Sequence, residues 1–166
     1  MNNVVLIGMP GSGKSTSGVV LAKTLGYSFE DTDLVISKNA GKKLQQILDN
    51  DGVEAFLRLE ETVGKTISCN NTVIATGGSM VLCDEAMKHL KSIGKVVYLE
   101  VPFNELKRRI KNFKTRGIVF KNGETFTELY NTRTKLYEKY ADFTINFSDN
   151  NLESTIEKIV NQLNQN

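Results

Sequence analysis

The sequence predicts an α/β domain, a mainly parallel sheet with helices on both faces. Three observations predict it. Short apolar runs of strand length alternate with longer segments of helical periodicity, the pattern of a covered parallel sheet. The first run, Val4-Val5-Leu6-Ile7, passes through Gly8-Met9-Pro10-Gly11-Ser12-Gly13-Lys14-Ser15 into a helical pattern. A chain of 166 residues with 40% hydrophobic content is the size of one domain, taken here as residues 1–166.

In order, Val4–Ile7 is the first strand, and the glycine-rich stretch after it is a phosphate-binding loop. Its backbone N–H groups can converge on an anion at the amino end of the next helix, whose dipole adds positive potential. Lys14 can reach the β- and γ-phosphates of a nucleotide, and the Ser15 hydroxyl can ligate Mg²⁺. Thr16–Leu25 is the helix, with Val19, Val20, Leu21 and Leu25 as its apolar positions.

A short strand Ser28–Glu30 leads to Asp31-Thr32-Asp33. In an open parallel sheet the carboxyl ends of strands face the ligand crevice. There Asp31 can hold Mg²⁺ and Asp33 can orient an acceptor hydroxyl and take its proton. The competing reading makes Asp33 the N-cap of a helix through Leu34, Val35 and Ile36. Val53–Ile67 is the next helix. After the buried run Val73–Ala75 comes Thr76-Gly77-Gly78-Ser79, either a ligand-facing glycine pair or a tight strand-to-helix turn. A helix near Glu85–Leu90, a strand Val96–Leu99 and a helix Glu105–Phe113 follow. Thr115–Thr125, with Gly117, Gly123 and little periodic apolar patterning, is the candidate mobile loop, either a lid over the phosphates, about residues 112–125 in all, or a plain surface loop. Helix Phe126–Tyr140, strand Phe143–Asn146 and helix Leu152–Leu163 complete the chain.

Composition narrows the function. No apolar run is long enough for a membrane span, and Met1-Asn2-Asn3 leads straight into a strand, so a cytoplasmic protein is expected. A net charge of +2 does not argue for nucleic acid. Cys69 and Cys83 form no CxxC pair. His89, the single histidine, sits on a Lys-rich helix and is read as a surface residue with no triad around it. The guanine-reading Asn-Lys-x-Asp of a GTPase is absent. Val96–Glu100 mimics the acid-ended strand of a mechanical ATPase, but the chain leaves little room for coupling elements. A nucleotide kinase, a kinase for another small hydroxy acid or sugar acid, and an ATP-binding protein without transfer activity stay open.

Taken together, the loop, Asp31-Thr32-Asp33, the Gly77-Gly78 pair, the Arg-bearing lid and Arg133-x-x-Leu136-Tyr137 resemble the shikimate kinase family in order and spacing. The resemblance covers nearly the whole chain. It implies a three-layer P-loop kinase fold with a five-stranded parallel sheet in the order 2-3-1-4-5. It also implies transfer of the γ-phosphoryl of ATP to the 3-hydroxyl of shikimate, with Mg²⁺ as cofactor and a monomeric, cytoplasmic enzyme without nucleic-acid or membrane partners. Residue by residue, Gly11, Ser12, Gly13, Lys14, Ser15 and Thr16 would cradle ATP, with Ser15 and Asp31 serving the metal. Asp33, Gly77, Gly78 and Arg133 would hold the acceptor, Arg133 by its carboxylate. Arg116 would swing from the lid onto the transferring phosphate. Arg109 would flank adenine, opposite the Ser148–Leu152 loop. The family's Phe-Arg-x-x-Glu reads Phe56-Leu57-Arg58-Leu59-Glu60 here, its third glycine is Ser79, and its lid Arg-Pro reads Arg116-Gly117. Arg58 either stands in partly for the arginine missing at Leu57 or makes a surface contact with Glu61 or Glu54.

Overall fold

The structure, a computed structural model, describes residues 2–110, 118–147 and 151–165. Five strands form one sheet: β1 (Asn3–Ile7), β2 (Ser28–Asp31), β3 (Thr72–Ala75), β4 (Gly94–Glu100) and β5 (Phe143–Asn146). Their spatial order is β2-β3-β1-β4-β5 and every pairing is parallel, as the resemblance implies. The helices are α1 (Lys14–Leu25), α2 (Thr32–Ala40), α3 (Leu44–Thr66), α4 (Asp84–Ile93), α5 (Phe103–Arg109), α6 (Phe126–Tyr140) and α7 (Leu152–Asn164).

β1 is central because all five of its residues are buried, so both faces need cover. Alternation along the strands divides the core into two layers. Val5, Ile7, Ile74, Val96 and Tyr98 face α4 and α6 through Met87, Leu90 and Tyr137. Val4, Leu6, Val73, Val97 and Leu99 face α1 and α7 through Leu21, Ala22, Ile156 and Ile159. Asn3 fastens the amino end of β1, donating from its amide to the Cys69 and Ile93 carbonyls and accepting from the Thr72 N–H.

A third cluster, Ile36, Ile47, Phe56, Val63 and Val119, lies beneath α2 and α3. α3 starts nine residues before the helix expected at Val53 and is broken at Gly52, whose φ of 88° and ψ of 170° leave the helical region. The Leu44–Asp51 turns went unread because that glycine interrupts the pattern. α2 begins at Thr32, two residues sooner than expected, and its cap is Asp31, whose Oδ1 accepts from the Asp33 N–H at 2.9 Å. The capping reading therefore belongs to Asp31, not Asp33.

The expected lid is described only from residue 118 onward. There the low burial expected of it does not hold: Ile118 is 8% exposed and Val119 4%, Val119 within the third cluster. Arg116 and Gly117 lie outside the described residues. α5 ends at Arg109, with Ile110 already non-helical, short of the expected Phe113. His89 is half-buried, its Nε2 2.9 Å from the Ile67 carbonyl oxygen, so it ties α4 to the end of α3 rather than facing solvent. Among the described residues, no helix is long and apolar enough to cross a membrane.

Candidate active site

The sheet topology brings the carboxyl ends of β1, β2, β3 and β4 to one edge, and two cavities open there. The larger, about 290 Å³, lies over the phosphate-binding loop and is lined by Lys14, Asp33, Glu60, Gly78, Val119 and Arg133 among others. The smaller, about 200 Å³, lies on the far side of the loop between Arg109, Phe147 and Leu152.

The loop takes the shape its glycines allow. Gly13 sits at φ 90° as the residue before α1, where an L side chain would be strained. The Ser12 N–H closes the turn on the Met9 carbonyl at 3.0 Å. Lys14 is 8% exposed and folds back, donating to the Gly8 and Met9 carbonyls at 2.7 and 2.9 Å. Burial pulls its ammonium down to about 8, against the attraction of Asp33 and Asp31. Ser15 and Thr16 are exposed at the mouth of the loop. The Ser15 hydroxyl donates to Asp31 Oδ2 at 2.6 Å, so the two residues expected to serve a metal meet directly.

The donor set suits Mg²⁺, a hard ion that takes oxygen ligands and keeps several waters. One hydroxyl and one carboxylate are present at the loop. Among the described residues no group of three or more His, Cys, Asp or Glu side chains is placed to hold a metal. That pattern fits an ion carried largely by nucleotide phosphates and water.

Asp33 faces the larger cavity. Burial raises its carboxyl to about 6, with the Asp31 charge adding and Lys14 opposing. Arg133 is 4% exposed, reaches the same cavity from α6, and donates to the Val119 carbonyl at 2.6 Å. The two glycines do different work. The Gly77 N–H is taken by Thr32 Oγ1 at 3.0 Å, so Gly77 contributes room rather than a donor. Gly78 packs on Pro10, whose ring carbons would lie 2.8 Å from any Cβ placed there. Its carbonyl accepts from the Tyr137 hydroxyl at 2.7 Å.

Arg58 is not brought to the cavity. It lies on the outer face of α3, 77% exposed along its side chain, and pairs with Glu54 at 3.2 Å. One helical residue turns a side chain by about 100°, enough to carry it from the pocket face to solvent. Arg58 is thus corrected from acceptor ligand to surface residue. Leu57 does not replace it, since it turns away from the cavity over Phe56 and Glu60.

Arg109 lines the smaller cavity, beside the phosphate-binding loop. Its Nε donates to Glu105 at 2.8 Å and its Nη1 to the Gly11 carbonyl at 3.3 Å. Its guanidinium lies 4.2 Å from the Phe147 ring centroid. Residues 148–150 of the loop expected opposite it lie outside the described residues; Leu152 lines the cavity.

Three residues at or beside the cavities were given no role from the sequence. Phe147 follows a short edge strand and looked like its end. Tyr137 was noted for its spacing, not for its bond to Gly78. Glu60, 2% exposed, accepts from Ser79 Oγ at 2.5 Å, and burial lifts its carboxyl to about 7. The signal for Glu60 was a carboxylate on the same helical face as the buried Phe56 and Val63.

Comparison with known proteins agrees with this geometry. The family model for shikimate kinase matches residues 10–164. A protein of Clostridium botulinum (strain 657 / Type Ba4) named shikimate kinase is 41% identical over 160 residues, 94% of this chain and 93% of its own length. The structure of shikimate kinase from Acinetobacter baumannii in complex with shikimate superposes with a TM-score of 0.91 at 29% identity, covering 99% of this chain and 94% of that one. The crystal structure of shikimate kinase from Aquifex aeolicus gives 0.85 at 32% identity, with 98% and 96% covered. On the loop, the acids of β2, the strand order and a match that spans nearly the whole sequence, the chain belongs to the shikimate kinase family.

Proposed function

We propose that this protein transfers the γ-phosphoryl of ATP to a hydroxyl of shikimate. One observation carries the reading. A half-buried carboxylate, Asp33, and a buried guanidinium, Arg133, line the same cavity as the loop that would hold the triphosphate. An acceptor with both a hydroxyl and a carboxylate can therefore lie against the phosphate donor.

In this reading the main-chain amides from Gly11 to Thr16 take the phosphates, and Lys14 leaves its carbonyl partners for the transferring group. Asp33 accepts the hydroxyl proton; burial has moved its carboxyl toward neutral pH, where a general base works best. Gly78 donates from its backbone. Arg133 holds the carboxylate with two parallel N–H bonds, which a guanidinium's planar fork allows. Arg116 completes the positive field from the lid. Ser15 and Asp31 would hold Mg²⁺, which would supply positive charge against the phosphates. Arg109 offers its guanidinium face to the adenine. Val119 and Ile118 close the cavity against water, which limits hydrolysis of the nucleotide. With the reading go the expectations of a single domain, a cytoplasmic location and a monomeric state.

The test is an acceptor screen with ATP and Mg²⁺ over shikimate, quinate, gluconate and nucleoside monophosphates, read as ADP release. Shikimate-dependent ADP release well above the rate without acceptor is expected. A stronger response to another acceptor, or none to any, overturns the reading.

A further inference from the structure

One wall of the larger cavity is a turn with a nearly bare backbone, Thr76-Gly77-Gly78-Ser79, which follows β3. Glycine backbone rotates freely unless something holds it. Three bonds hold this one. The Gly77 N–H donates to Thr32 Oγ1 at 3.0 Å, the Gly77 carbonyl accepts from the Met80 N–H at 3.2 Å, and the Gly78 carbonyl accepts from the Tyr137 hydroxyl at 2.7 Å. A trans peptide is planar, with its C=O and N–H on opposite edges, so a bond to one edge also aims the other. The bond at the Gly77 carbonyl aims the Gly78 N–H. The bond from Tyr137 aims the Ser79 N–H.

The third bond differs from the others in its origin. It comes from α6, the helix that also carries Arg133, and a spacing of four residues puts Arg133 and Tyr137 on one face. Tyr137 is fully buried, and its ring is stacked on Tyr98 with centroids 5.2 Å apart, so its hydroxyl is held in place. Burial keeps its phenol above the ordinary tyrosine value, while the Arg133 guanidinium beside it pulls the other way. One hydroxyl thus stands between the guanidinium and the glycine turn. Tyr137 is not itself among the residues that line the cavity. Among the described residues, the cations that do are Lys14 and Arg133. On the shikimate reading Lys14 serves the phosphates, which leaves Arg133 and the backbone donors for an acid.

We propose that Tyr137 is the positioning residue for the carboxylate end of the acceptor. Its hydroxyl fixes the peptide between Gly78 and Ser79 relative to Arg133, so that backbone donors and guanidinium meet one carboxylate together. The proposal rests on the shikimate reading above, which places the carboxylate at Arg133 beside Gly78.

The test compares two variants of the stacked pair. Tyr137→Phe removes the hydroxyl and keeps the ring. Its KM for shikimate is expected to rise at least about fivefold, the lower end of the cost of an unmet buried acceptor, because the acceptor must then order the peptide itself. Its kcat and its KM for ATP should stay within about twofold of the parent. Tyr98→Phe removes a hydroxyl from the other, equally buried ring. It should leave all three constants within about twofold, whereas a general loosening of the stack would move both variants alike. An unchanged shikimate KM in Tyr137→Phe overturns the proposal, as does a rise matched by Tyr98→Phe or a fall in kcat as large as the rise in KM. Should Tyr137→Phe fail to fold, the parent decides: the Cζ carbon resonance of Tyr137 should shift when shikimate is added, and one that shikimate leaves in place overturns the proposal. Absence of shikimate turnover by the parent sinks the underlying reading and the proposal with it; turnover that Tyr137→Phe leaves unaltered sinks the proposal alone.

Discussion

Replacing Glu60 by glutamine tests how much the fold gives up to hold a carboxylate in the empty pocket. The ordinary carboxyl of this type titrates at 4.5, and in the folded chain burial lifts it to about 7, the Asp33 charge adding to the lift. The Ser79 hydroxyl, Arg133 and Lys14 pull the other way without cancelling it. Between those two values the folded chain keeps a proton that the unfolded chain has released. Stability therefore falls as pH rises through this window, and the full loss is present above it. At about 1.4 kcal/mol per unit, the burden reaches at most about 3 kcal/mol at pH 8. Glutamine keeps an oxygen for the Ser79 hydroxyl and removes the charge. Glu60→Gln should match the parent near pH 4.5 and exceed its stability at pH 8, by several degrees in Tm for a chain of this size. Thermal unfolding followed by circular dichroism at the two pH values, without nucleotide, measures it. A variant whose difference from the parent is the same at both pH values refutes the reasoning, as does one less stable than the parent at pH 8.

Other outcomes follow from the site. Lys14→Ala should abolish phosphoryl transfer yet leave a folded protein, because its Nζ bonds only to the loop itself; steady-state ADP release and a far-ultraviolet spectrum check both halves. Asp33→Asn should lower kcat by at least about a hundredfold, the usual scale for a positioned base, and kinetics at saturating acceptor would expose a smaller effect. Arg58→Ala should leave the acceptor KM unchanged within about twofold, since an exposed ion pair contributes little; a large rise would return Arg58 to the site.

What the sequence disclosed was mostly local. The strand, loop and helix from Val4 to Leu25 are contiguous, and one helix dipole with a run of glycines explains them without reference to the rest of the chain. Ser15 and Asp31 could be assigned to one metal because the strands of a parallel sheet, here β1 and β2 with β3 between them, bring their carboxyl ends to one edge. Harder to read was anything set by angle. The cap fell to Asp31 rather than Asp33 because α2 starts at Thr32, two residues before the apolar run Leu34-Val35-Ile36 that marks the helix in the sequence. Arg58 differs from Leu57 by a single step of α3, and only the packing of Phe56 and Glu60 settles which direction faces the cavity. The Glu60–Ser79 bond joins residues nineteen apart through tertiary packing, which no local periodicity encodes. Gly77 showed the opposite failure: its identity was noticed, but its amide is already committed to Thr32.

The bond from Arg133 to the Val119 carbonyl has a consequence for the order of events. A guanidinium carries five N–H donors in one plane, so it can keep its grip on the lid backbone while turning another edge to an incoming anion. On the proposed reading, the cap over the cavity and the group that meets the acid end of the acceptor are then joined through one side chain. On that reading, acceptor binding and the seating of that cover depend on the same side chain. A lysine there, with its donors clustered on one atom, would have to choose between the two partners.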